Sequence, residues 1–223
     1  MMSLKPQIES AKARCLVRVV DDDPSVQRAL SVFLEMDDWR VALFSSGKDF
    51  LARAGTEPGC VILDVRMPGM TGIEVQEEMR RRGMRLPIIF LSAHGDIELA
   101  VDAVARGAKT FLVKPPKPEK LLAAIGSAVL EDIERHRNDA YLAELEAAWE
   151  SLTEKEKEVA GLVAKGLPNS TVSEVLAVAE RTVRSHKTAI YGKLDVQNPV
   201  EVADFIREMT ALRDAAAGRG GLK

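Results

Sequence analysis

The chain has 223 residues, of which 29% are charged and 46% hydrophobic, and its formal net charge is −3. This balance is typical of a folded globular protein and excludes a disordered or fibrous chain. No apolar run reaches the ~18 residues that a membrane-spanning helix needs, and residues 1–14 lack the apolar stretch of a secretion signal. Two cysteines, Cys15 and Cys60, are too few for a disulfide framework, and both lie in apolar segments. We therefore expect a cytoplasmic protein with no membrane segment and with both cysteines in its core.

Acidic residues are concentrated in one short central segment. Residues 131–150 carry two basic and seven acidic side chains, whereas residues 1–130 and 151–223 each have a net charge of +1. A charged run of this kind is typical of a solvated connector between two domains. The length of the chain also suits two domains of modest size.

The connector is predicted to be a helix with one apolar seam. The seam residues follow one another at spacings of three, four and three, and they are Leu142, Leu145, Trp149 and Leu152. This spacing corresponds to two heptads. Two interpretations are open at this point: the seam packs against a neighbouring domain, or it pairs with a second copy of the chain.

Residues 15–130 alternate between short apolar runs and segments of helical periodicity. The apolar runs are Cys15–Val20, Arg40–Phe44, Cys60–Leu63, Pro87–Leu91 and Lys109–Val113. Helical spacing is clearest in three sets, Val26 to Leu34, Ile73 to Arg82, and Ile97 with Val101, Val104 and Ala105. Strands and helices that alternate over about 115 residues predict an α/β, doubly wound, five-stranded parallel sheet. In such sheets the ligand site lies at the carboxyl ends of the strands.

Polar residues fall at the predicted carboxyl ends of four strands. They are Asp21, Asp22 and Asp23 after the first strand, Asp64 after the third, Ser92 after the fourth and Lys114 after the fifth. Asp23 precedes Pro24 and is the best candidate for an ordinary helix cap. Carboxylates 4 Å apart repel each other by about 4 kcal/mol at an effective dielectric constant near 20, and Mg²⁺ relieves such repulsion. An aspartate beside that ion can attack phosphorus, while Lys114 and Ser92 stabilise the phosphoryl oxygens.

Residues 15–130 resemble the receiver domain of two-component response regulators. The matching segments are VVDDD at 19–23, LDVRMPGMTG at 63–72, LSAHGD at 91–96 and FLVKPP at 111–116. The resemblance implies a flavodoxin-like sheet with strand order 2-1-3-4-5, and phosphorylation of Asp64 assisted by Lys114 and Ser92. The Mg²⁺ ligands that it implies are Asp21, Asp22, Asp64 and the backbone carbonyl of Arg66. It also implies a cis Pro115 after Lys114 and a conformational switch formed by Ser92 and Phe111.

One alternative interpretation concerns the role of Phe111, and another concerns the class of protein. Phe111 also fits ordinary core packing, and because Phe lacks a hydroxyl its outward state gains no hydrogen bond. A phosphatase of the haloacid dehalogenase type also phosphorylates an aspartate at a strand end, but it needs a second acid two residues later. Arg66 occupies that position, and an arginine cannot donate a proton at neutral pH, which excludes that chemistry. The chain is therefore expected to assist only its own phosphorylation and dephosphorylation, without being a further enzyme.

From residue 153 onward the sequence predicts four short helices and no strand. Thr153 and Glu156 form a capping box, Gly166 is a helix stop, and Pro168-Asn169 opens the next helix. Residues 180–193 carry four basic side chains and one acidic one, which makes this the most basic helix. A basic helix after a short helix and a tight turn is the arrangement that enters a DNA major groove, and a solvated basic face is the commonplace alternative.

Residues 152–194 resemble the LuxR-type helix-turn-helix domain. The resemblance rests on Leu152-Thr153, Glu156, Glu158-Val159, Gly166, Asn169, Thr182-Val183, His186 and Lys193-Leu194. The DNA-contacting residues that it implies are Arg181, Thr182, Arg184, Ser185, Lys187 and Lys193. Three positions depart from the family pattern: Ser170 replaces a lysine, Ala179 replaces a capping serine, and Gly192 lies inside the recognition helix.

A receiver followed by this domain resembles the FixJ/NarL class of transcription regulators. The predicted order is a disordered N-terminus at 1–13, a receiver at 14–130, a helical acidic linker at 131–151, an all-α four-helix domain at 152–212 and a flexible tail at 213–223. A sensor histidine kinase is expected to phosphorylate Asp64, after which the protein dimerises through residues 96–130 and binds promoter DNA. RNA polymerase is a further candidate partner. The alternative function is a phosphotransfer or protein-interaction module whose C-terminal domain has lost DNA binding.

Overall fold

The computed structural model describes residues 5–93 and 104–218. The chain divides into two compact units, of which the first ends at His136 and the second begins at Arg137. The first unit contains a parallel sheet formed by β1 (Leu16–Val20), β2 (Arg40–Phe44), β3 (Gly59–Asp64), β4 (Ile88–Ser92) and β5 (Thr110–Val113). The strands lie in the order β2-β1-β3-β4-β5. This order confirms the predicted flavodoxin-like fold.

Nine helices are present in the part of the chain that the structure describes. They are α1 (Lys5–Lys12), α2 (Pro24–Glu35), α3 (Gly47–Arg53), α4 (Gly72–Arg81), α5 (Pro118–Glu150), α6 (Glu154–Ala164), α7 (Asn169–Leu176), α8 (Glu180–Leu194) and α9 (Pro199–Gly218). The helix predicted from Ile97 to Ala105 lies mostly outside the described residues, as does the end of the LSAHGD segment. None of the helices in the described ranges is long and apolar enough to cross a membrane.

Both faces of the sheet bury apolar side chains. All six residues of β3 and all five of β4 are buried, as expected for central strands of a parallel sheet. Helices α2 and α5 cover one face through Leu30, Leu34, Leu121 and Ile125. Helices α3 and α4 cover the other face through Phe50, Val75 and Met79. Polar residues at the strand ends are therefore left at the edge of a tightly packed sheet.

The two cysteines are buried and free, as predicted. Burial raises the pKa of the Cys60 thiol to about 12. Burial likewise raises the pKa of Cys15. Because the thiolate is the reactive form of cysteine, both side chains behave as small core residues at neutral pH.

Two helices begin at the predicted caps. The side chain of Asp23 accepts a hydrogen bond from the backbone N–H of Ser25 at 2.7 Å, and Pro24 is the first residue of α2. At α6 the backbone N–H of Thr153 donates to Glu156 at 2.8 Å, and the Glu156 N–H donates to the Thr153 hydroxyl oxygen at 3.3 Å. These contacts confirm the predicted helix cap and capping box.

For the described residues 5–12, helix α1 corrects the prediction of a disordered N-terminus at residues 1–13. Ala11 is fully buried in the apolar cluster of the first unit, and Ile8 packs against that cluster. The Lys12 Nζ lies 3.2 Å from a carboxylate oxygen of Asp37. The eight residues of α1 are too few for a helix that is stable on its own, so the local sequence predicts disorder although the helix forms. Its formation depends on these tertiary contacts, which the local sequence does not reveal.

The C-terminal tail is also more ordered than predicted for residues 213–223. Helix α9 continues to Gly218, Leu212 packs against the apolar cluster of the second unit, and Arg213 lies 2.8 Å from Glu146. Three alanines immediately before Gly218 favour the helix, so the prediction of a flexible tail was wrong for residues 213–218. The remainder of the tail lies outside the described residues.

The apolar seam of α5 packs within the second unit. Leu145 and Leu152 are buried in the apolar cluster of that unit, and Leu142 and Trp149 pack against it. The structure therefore favours the first of the two interpretations of the seam. Residues 137–150 are a helix of the second unit as well as the continuation of α5.

Helix α8 has two local defects that predict stabilising substitutions. Ala179 at its N-cap provides no side-chain hydrogen bond, and a Cβ added at Gly192 would meet open space. We expect Ala179→Ser to raise the free energy of unfolding of the second unit by about 1 kcal/mol. Gly192→Ala should add up to about 1 kcal/mol. Chemical denaturation followed by circular dichroism measures both changes. A loss of stability in either variant would contradict the interpretation of that position as a local defect of α8.

Candidate functional site

Three carboxylates meet at the edge where β1 and β3 end. Among the described residues, one carboxylate oxygen from each of Asp21, Asp22 and Asp64 lies within 4.8 Å of the others. Asp21 and Asp64 are buried, whereas Asp22 is exposed. The two strands are parallel neighbours in which Val20 pairs with Leu63. Because of this register, the residues that follow Val20 and Leu63 come together.

Lys114, the residue after β5, contacts two of these carboxylates. Its Nζ lies 2.6 Å from the Oδ2 of Asp21 and 2.8 Å from the Oδ1 of Asp64. Burial opposes the charge on the ammonium, but the hydrogen bonds with Asp21 and Asp64 outweigh burial and raise the pKa of Lys114. The side chain is therefore held as a cation. The peptide bond between Lys114 and Pro115 is cis.

The site retains negative charge around Asp64. Burial raises the pKa of the Asp64 carboxyl, the hydrogen bond and charge of Lys114 oppose that effect, and repulsion from Asp21 and Asp22 adds to it. Counted as ions, three carboxylates and one ammonium leave a charge of about −2. A divalent cation with oxygen ligands matches both this charge and these donors, so the cluster could hold Mg²⁺.

The other predicted site residues lie nearby in the sheet or in the loop after β3. Ser92 ends β4 and is buried, and its hydroxyl donates to the Ala93 carbonyl oxygen at 3.3 Å. Phe111 of β5 is partly buried and packs against the apolar cluster of one sheet face, as core packing requires. Arg66 is exposed, two residues after Asp64.

Two residues that sequence reasoning missed shape this edge. Gly72 allows the loop after β3 to return to the strand end, since a Cβ there would lie 2.3 Å from the carbonyl oxygen of Asp64. The side-chain amide of Gln27 donates to the carbonyl oxygens of Asp21 at 2.6 Å and Phe44 at 3.0 Å. Gly72, the last residue of LDVRMPGMTG, was a usable signal, because close approach of another backbone segment is a common reason for glycine. Nothing in the sequence distinguishes Gln27 from a surface glutamine of α2.

Helix α8 has one buried face and one exposed face. Val183, Ile190 and Leu194 are buried in the apolar cluster of the second unit. The exposed face carries four predicted DNA-contacting residues, Arg181, Thr182, Arg184 and Ser185. The preceding helix α7 ends with Ala177 in the left-handed conformation, so the chain makes the predicted tight turn before α8.

The two lysines predicted to contact DNA bind neighbouring side chains of the second unit. The Lys187 Nζ donates to the Oδ1 of Asn169 at 3.1 Å. The Lys193 Nζ forms an ion pair with the Oε2 of Glu156 at 2.7 Å. Glu156 is the residue that closes the capping box of α6, so Lys193 ties the end of α8 to the start of α6.

Comparison with known proteins assigns both units. Residues 17–126 match the model of the response regulator receiver domain, and residues 150–206 match that of the luxR family of bacterial regulatory proteins. The chain belongs to the response regulators. A receiver joined to a DNA-binding domain implies a kinase and DNA as partners of this response regulator, which is a transcription factor by family rather than a classical enzyme.

Relatives match the response regulator along most of its length. It is 39% identical over 201 residues to response regulator protein TmoT of Ectopseudomonas mendocina, with 90% of each chain covered. It is 32% identical over 179 residues to transcriptional regulatory protein FixJ of Azorhizobium caulinodans, covering 80% of this chain and 85% of FixJ. The structure of response regulator StyR is similar, with a TM-score of 0.82 and 36% identity. The match covers 87% of this chain and 99% of StyR. These matches confirm the predicted family, fold class and role in phosphorylation-activated transcription regulation.

In this response regulator Glu156 should make stability depend on acid pH. Hydrogen bonds from Lys193 and from the Thr153 backbone lower the pKa of Glu156 to about 2. A carboxylate with a lowered folded-state pKa stabilises the fold above its unfolded pKa of about 4.3, and the contribution is lost as the pH falls toward about 2. We expect Glu156→Gln to lower the free energy of unfolding of the second unit by about 1–3 kcal/mol at pH 7. The difference from wild type should shrink as the pH falls through that window.

Urea denaturation at a series of pH values measures this difference. The matched control is Glu158→Gln, because Glu158 pairs with Lys155 at the surface at 2.9 Å. Exposed pairs of this kind contribute about 0–1 kcal/mol. Equal losses in the two variants would contradict the special role of Glu156.

Proposed function

We propose that the response regulator accepts a phosphoryl group on Asp64 from a sensor histidine kinase in the cytoplasm, dimerises, and then binds promoter DNA. The observation that carries this proposal is the convergence of Asp21, Asp22, Asp64 and Lys114 at one sheet edge. The exposed arginines of α8 support the DNA-binding step. RNA polymerase is the further partner that a DNA-bound activator would contact.

Phosphoryl transfer follows from the chemistry of these side chains. A carboxylate oxygen of Asp64 attacks phosphorus, and the bond from phosphorus to the kinase histidine nitrogen breaks, with its electron pair returning to the nitrogen. Asp21, Asp22, Asp64 and the backbone carbonyl of Arg66 would hold Mg²⁺, which when bound neutralises charge on the phosphoryl oxygens. Lys114 keeps a positive charge 2.8 Å from an Asp64 oxygen, beside the position that the transferred group would occupy. The Ser92 hydroxyl at the neighbouring strand end can donate to a further phosphoryl oxygen.

Ser92 and Phe111 form the proposed switch. When the Ser92 hydroxyl turns toward the phosphoryl group, the partly buried Phe111 ring can move further inward. Support comes from the pairing of β4 with β5, in which Phe90 lies beside Phe111 and Ser92 beside Val113. Both switch residues therefore belong to adjacent strands close to the phosphoacceptor edge.

Phosphorylation should shift the protein from monomer to dimer through the surface formed by residues 96–130. Residues 96–103 of this surface lie outside the described ranges, and the described part exposes Val104 at 48% and Val113 at 44%. The acidic segment 131–150 repels a second copy at low salt, so the receiver surface must provide most of the contact. Light scattering with Mg²⁺ and beryllofluoride, a phosphoryl mimic, should detect the dimer, and Val113→Asp should prevent it.

The matched control for the dimer is Val32→Asp, since Val32 is a valine on α2 that is at least as exposed as Val113. That variant should dimerise as wild type does. A protein that remains monomeric at all concentrations with the mimic bound would refute the dimer.

A protein-interaction module without DNA binding is the second candidate function. The uncapped start of α8 and the internal partners of Lys187 and Lys193 favour it. Fluorescence anisotropy decides between the two functions, with labelled duplexes from the region upstream of the gene and a salt series on protein activated by beryllofluoride. Salt-dependent binding to such a duplex supports the DNA-binding function. If activated protein binds none of them, the module is the better description.

A further inference from the structure

Asp132 of α5 is a fully buried carboxylate at the end of the sheet opposite the phosphoacceptor site. Its Oδ2 accepts a hydrogen bond from the backbone N–H of Gly59 at 2.8 Å, and its Oδ1 accepts one from the Arg135 Nε at 3.1 Å. The His136 Nε2 lies 3.5 Å from the Oδ2. Burying a carboxylate is costly unless it is hydrogen-bonded. These contacts therefore fix the position of Asp132 closely.

The backbone partner of Asp132 is constrained as well. Gly59 is the first residue of β3, and a Cβ added to it would lie 2.0 Å from the carbonyl oxygen of Leu16 on β1. Only glycine fits there without a backbone shift. The same strand ends in Asp64, and all of its six residues are buried. A tightly packed strand thus has the phosphoacceptor at one end and the hydrogen bond to Asp132 at the other.

Asp132 lies beyond the receiver match, which ends at residue 126. It nevertheless belongs to the first unit, which extends to His136. Helix α5 is continuous to Glu150, and its Leu145 is buried in the second unit. One helix is therefore held by Asp132 in the first unit and by Leu145 in the second.

Helix α1 also packs against the first-unit part of α5. A Cβ at Gly126 of α5 would lie 2.8 Å from the Cδ1 of Ile8, so the isoleucine packs closely against the glycine. Helix α1 also precedes the receiver match. Two features outside the family match, α1 and Asp132, thus fix the first-unit part of α5.

We propose that Asp132 is a positioning residue that couples the phosphoacceptor strand β3 to the helix that enters the DNA-binding unit. A change at Asp64 that displaces β3 reaches Gly59 because packed interiors transmit displacement. The hydrogen bond from Gly59 then passes the displacement to Asp132 and to α5. This inference rests on the proposed function, since it supplies the route by which phosphorylation of Asp64 is sensed in the second unit.

Hydrogen exchange of the full-length protein, read by mass spectrometry with and without Mg²⁺ and beryllofluoride, tests the proposal. In wild type the mimic should change exchange within residues 137–150. In Asp132→Leu the mimic should still bind, exchange in residues 127–136 should be about ten-fold faster, and the change within 137–150 should be lost. Asp132→Asn keeps an acceptor oxygen for the Gly59 N–H and should restore most of that change. A merely structural role would alter exchange without removing the response to the mimic.

The control is Glu131→Gln, which removes an exposed ion pair with Lys109 at 2.6 Å from the same helix turn. It should respond to the mimic as wild type does. If Asp132→Leu does not fold, Asp132→Ser, too short to reach Gly59, carries the same expectations. A normal response within 137–150 in the Leu or Ser variant overturns the proposal, as does the absence of that response in wild type that has bound the mimic. Failure of wild type to bind beryllofluoride contradicts the proposed function instead.

Discussion

Asp64→Asn should abolish Mg²⁺-dependent labelling of the protein by a small phosphodonor such as acetyl phosphate. The amide has no nucleophilic carboxylate oxygen, and the remaining aspartates cannot replace it because Asp64 alone lies at the end of β3. We expect a loss of at least about 10³-fold in the labelling rate. Incorporation of radioactive phosphate, followed over time with and without Mg²⁺, measures it.

The matched control is Asp23→Asn. Asp23 is next to Asp22 in the chain, but its side chain caps α2. Asparagine caps a helix about as well as aspartate, so this variant should label at the wild-type rate. If Asp64→Asn labels as fast as wild type, the phosphoacceptor has been assigned to the wrong residue.

Arg184→Ala and Lys187→Ala should weaken DNA binding in different ways. Arg184 is exposed and lies 3.6 Å from Glu180, an exposed pair that is easily given up. Its guanidinium suits a bidentate contact with guanine, so its loss should cost about 1–3 kcal/mol and relax sequence preference at one position. Lys187 suits a phosphate contact in place of its bond to Asn169. Its loss should weaken binding to all sequences similarly. It should also lower the slope of the logarithm of the binding constant against the logarithm of salt concentration by about one.

Anisotropy titrations of specific and scrambled duplexes over a salt series distinguish these outcomes. The control is Arg207→Ala, because Arg207 is an exposed arginine of α9 that pairs with neighbouring Asp204 at 2.8 Å. That variant should bind as wild type does. If Arg184→Ala and Lys187→Ala both bind as wild type, α8 is not the recognition helix even though the domain assignment stands.

The sheet and its polar edge were predictable because both depend on local patterns. Buried parallel strands are continuous apolar runs, and the rule that ligands bind at their carboxyl ends brings Asp21, Asp64 and Lys114 together before any distance is known. The contacts at the opposite edge were not predictable. Asp132 lies in an acidic run that predicts a solvated connector, yet it is fully buried because a backbone N–H distant in sequence faces it.

Arg18 shows the same limit within a predicted strand. The sequence gives only an arginine among valines, which favours neither burial nor exposure. In the structure it is fully buried and donates to the carbonyl oxygens of Ala54 at 2.5 Å, Glu57 at 2.9 Å and Leu16 at 3.1 Å. These acceptors offset the cost of burying its charge. Two of them, Ala54 and Glu57, lie in the loop between α3 and β3, far from Arg18 in sequence, so residue type alone does not identify them.

The burial of Leu145 in the second unit affects how domains can be exchanged between regulators. The luxR match begins at residue 150, and a recombination joint placed there would separate Leu142 and Leu145 from the apolar cluster that they cover. The transplanted domain would then expose apolar side chains of this cluster and would tend to aggregate. A joint just before residue 137 keeps residues 137–150 together with the cluster. Gene fusions that preserve function should therefore inherit the C-terminal half of α5 together with the DNA-binding domain.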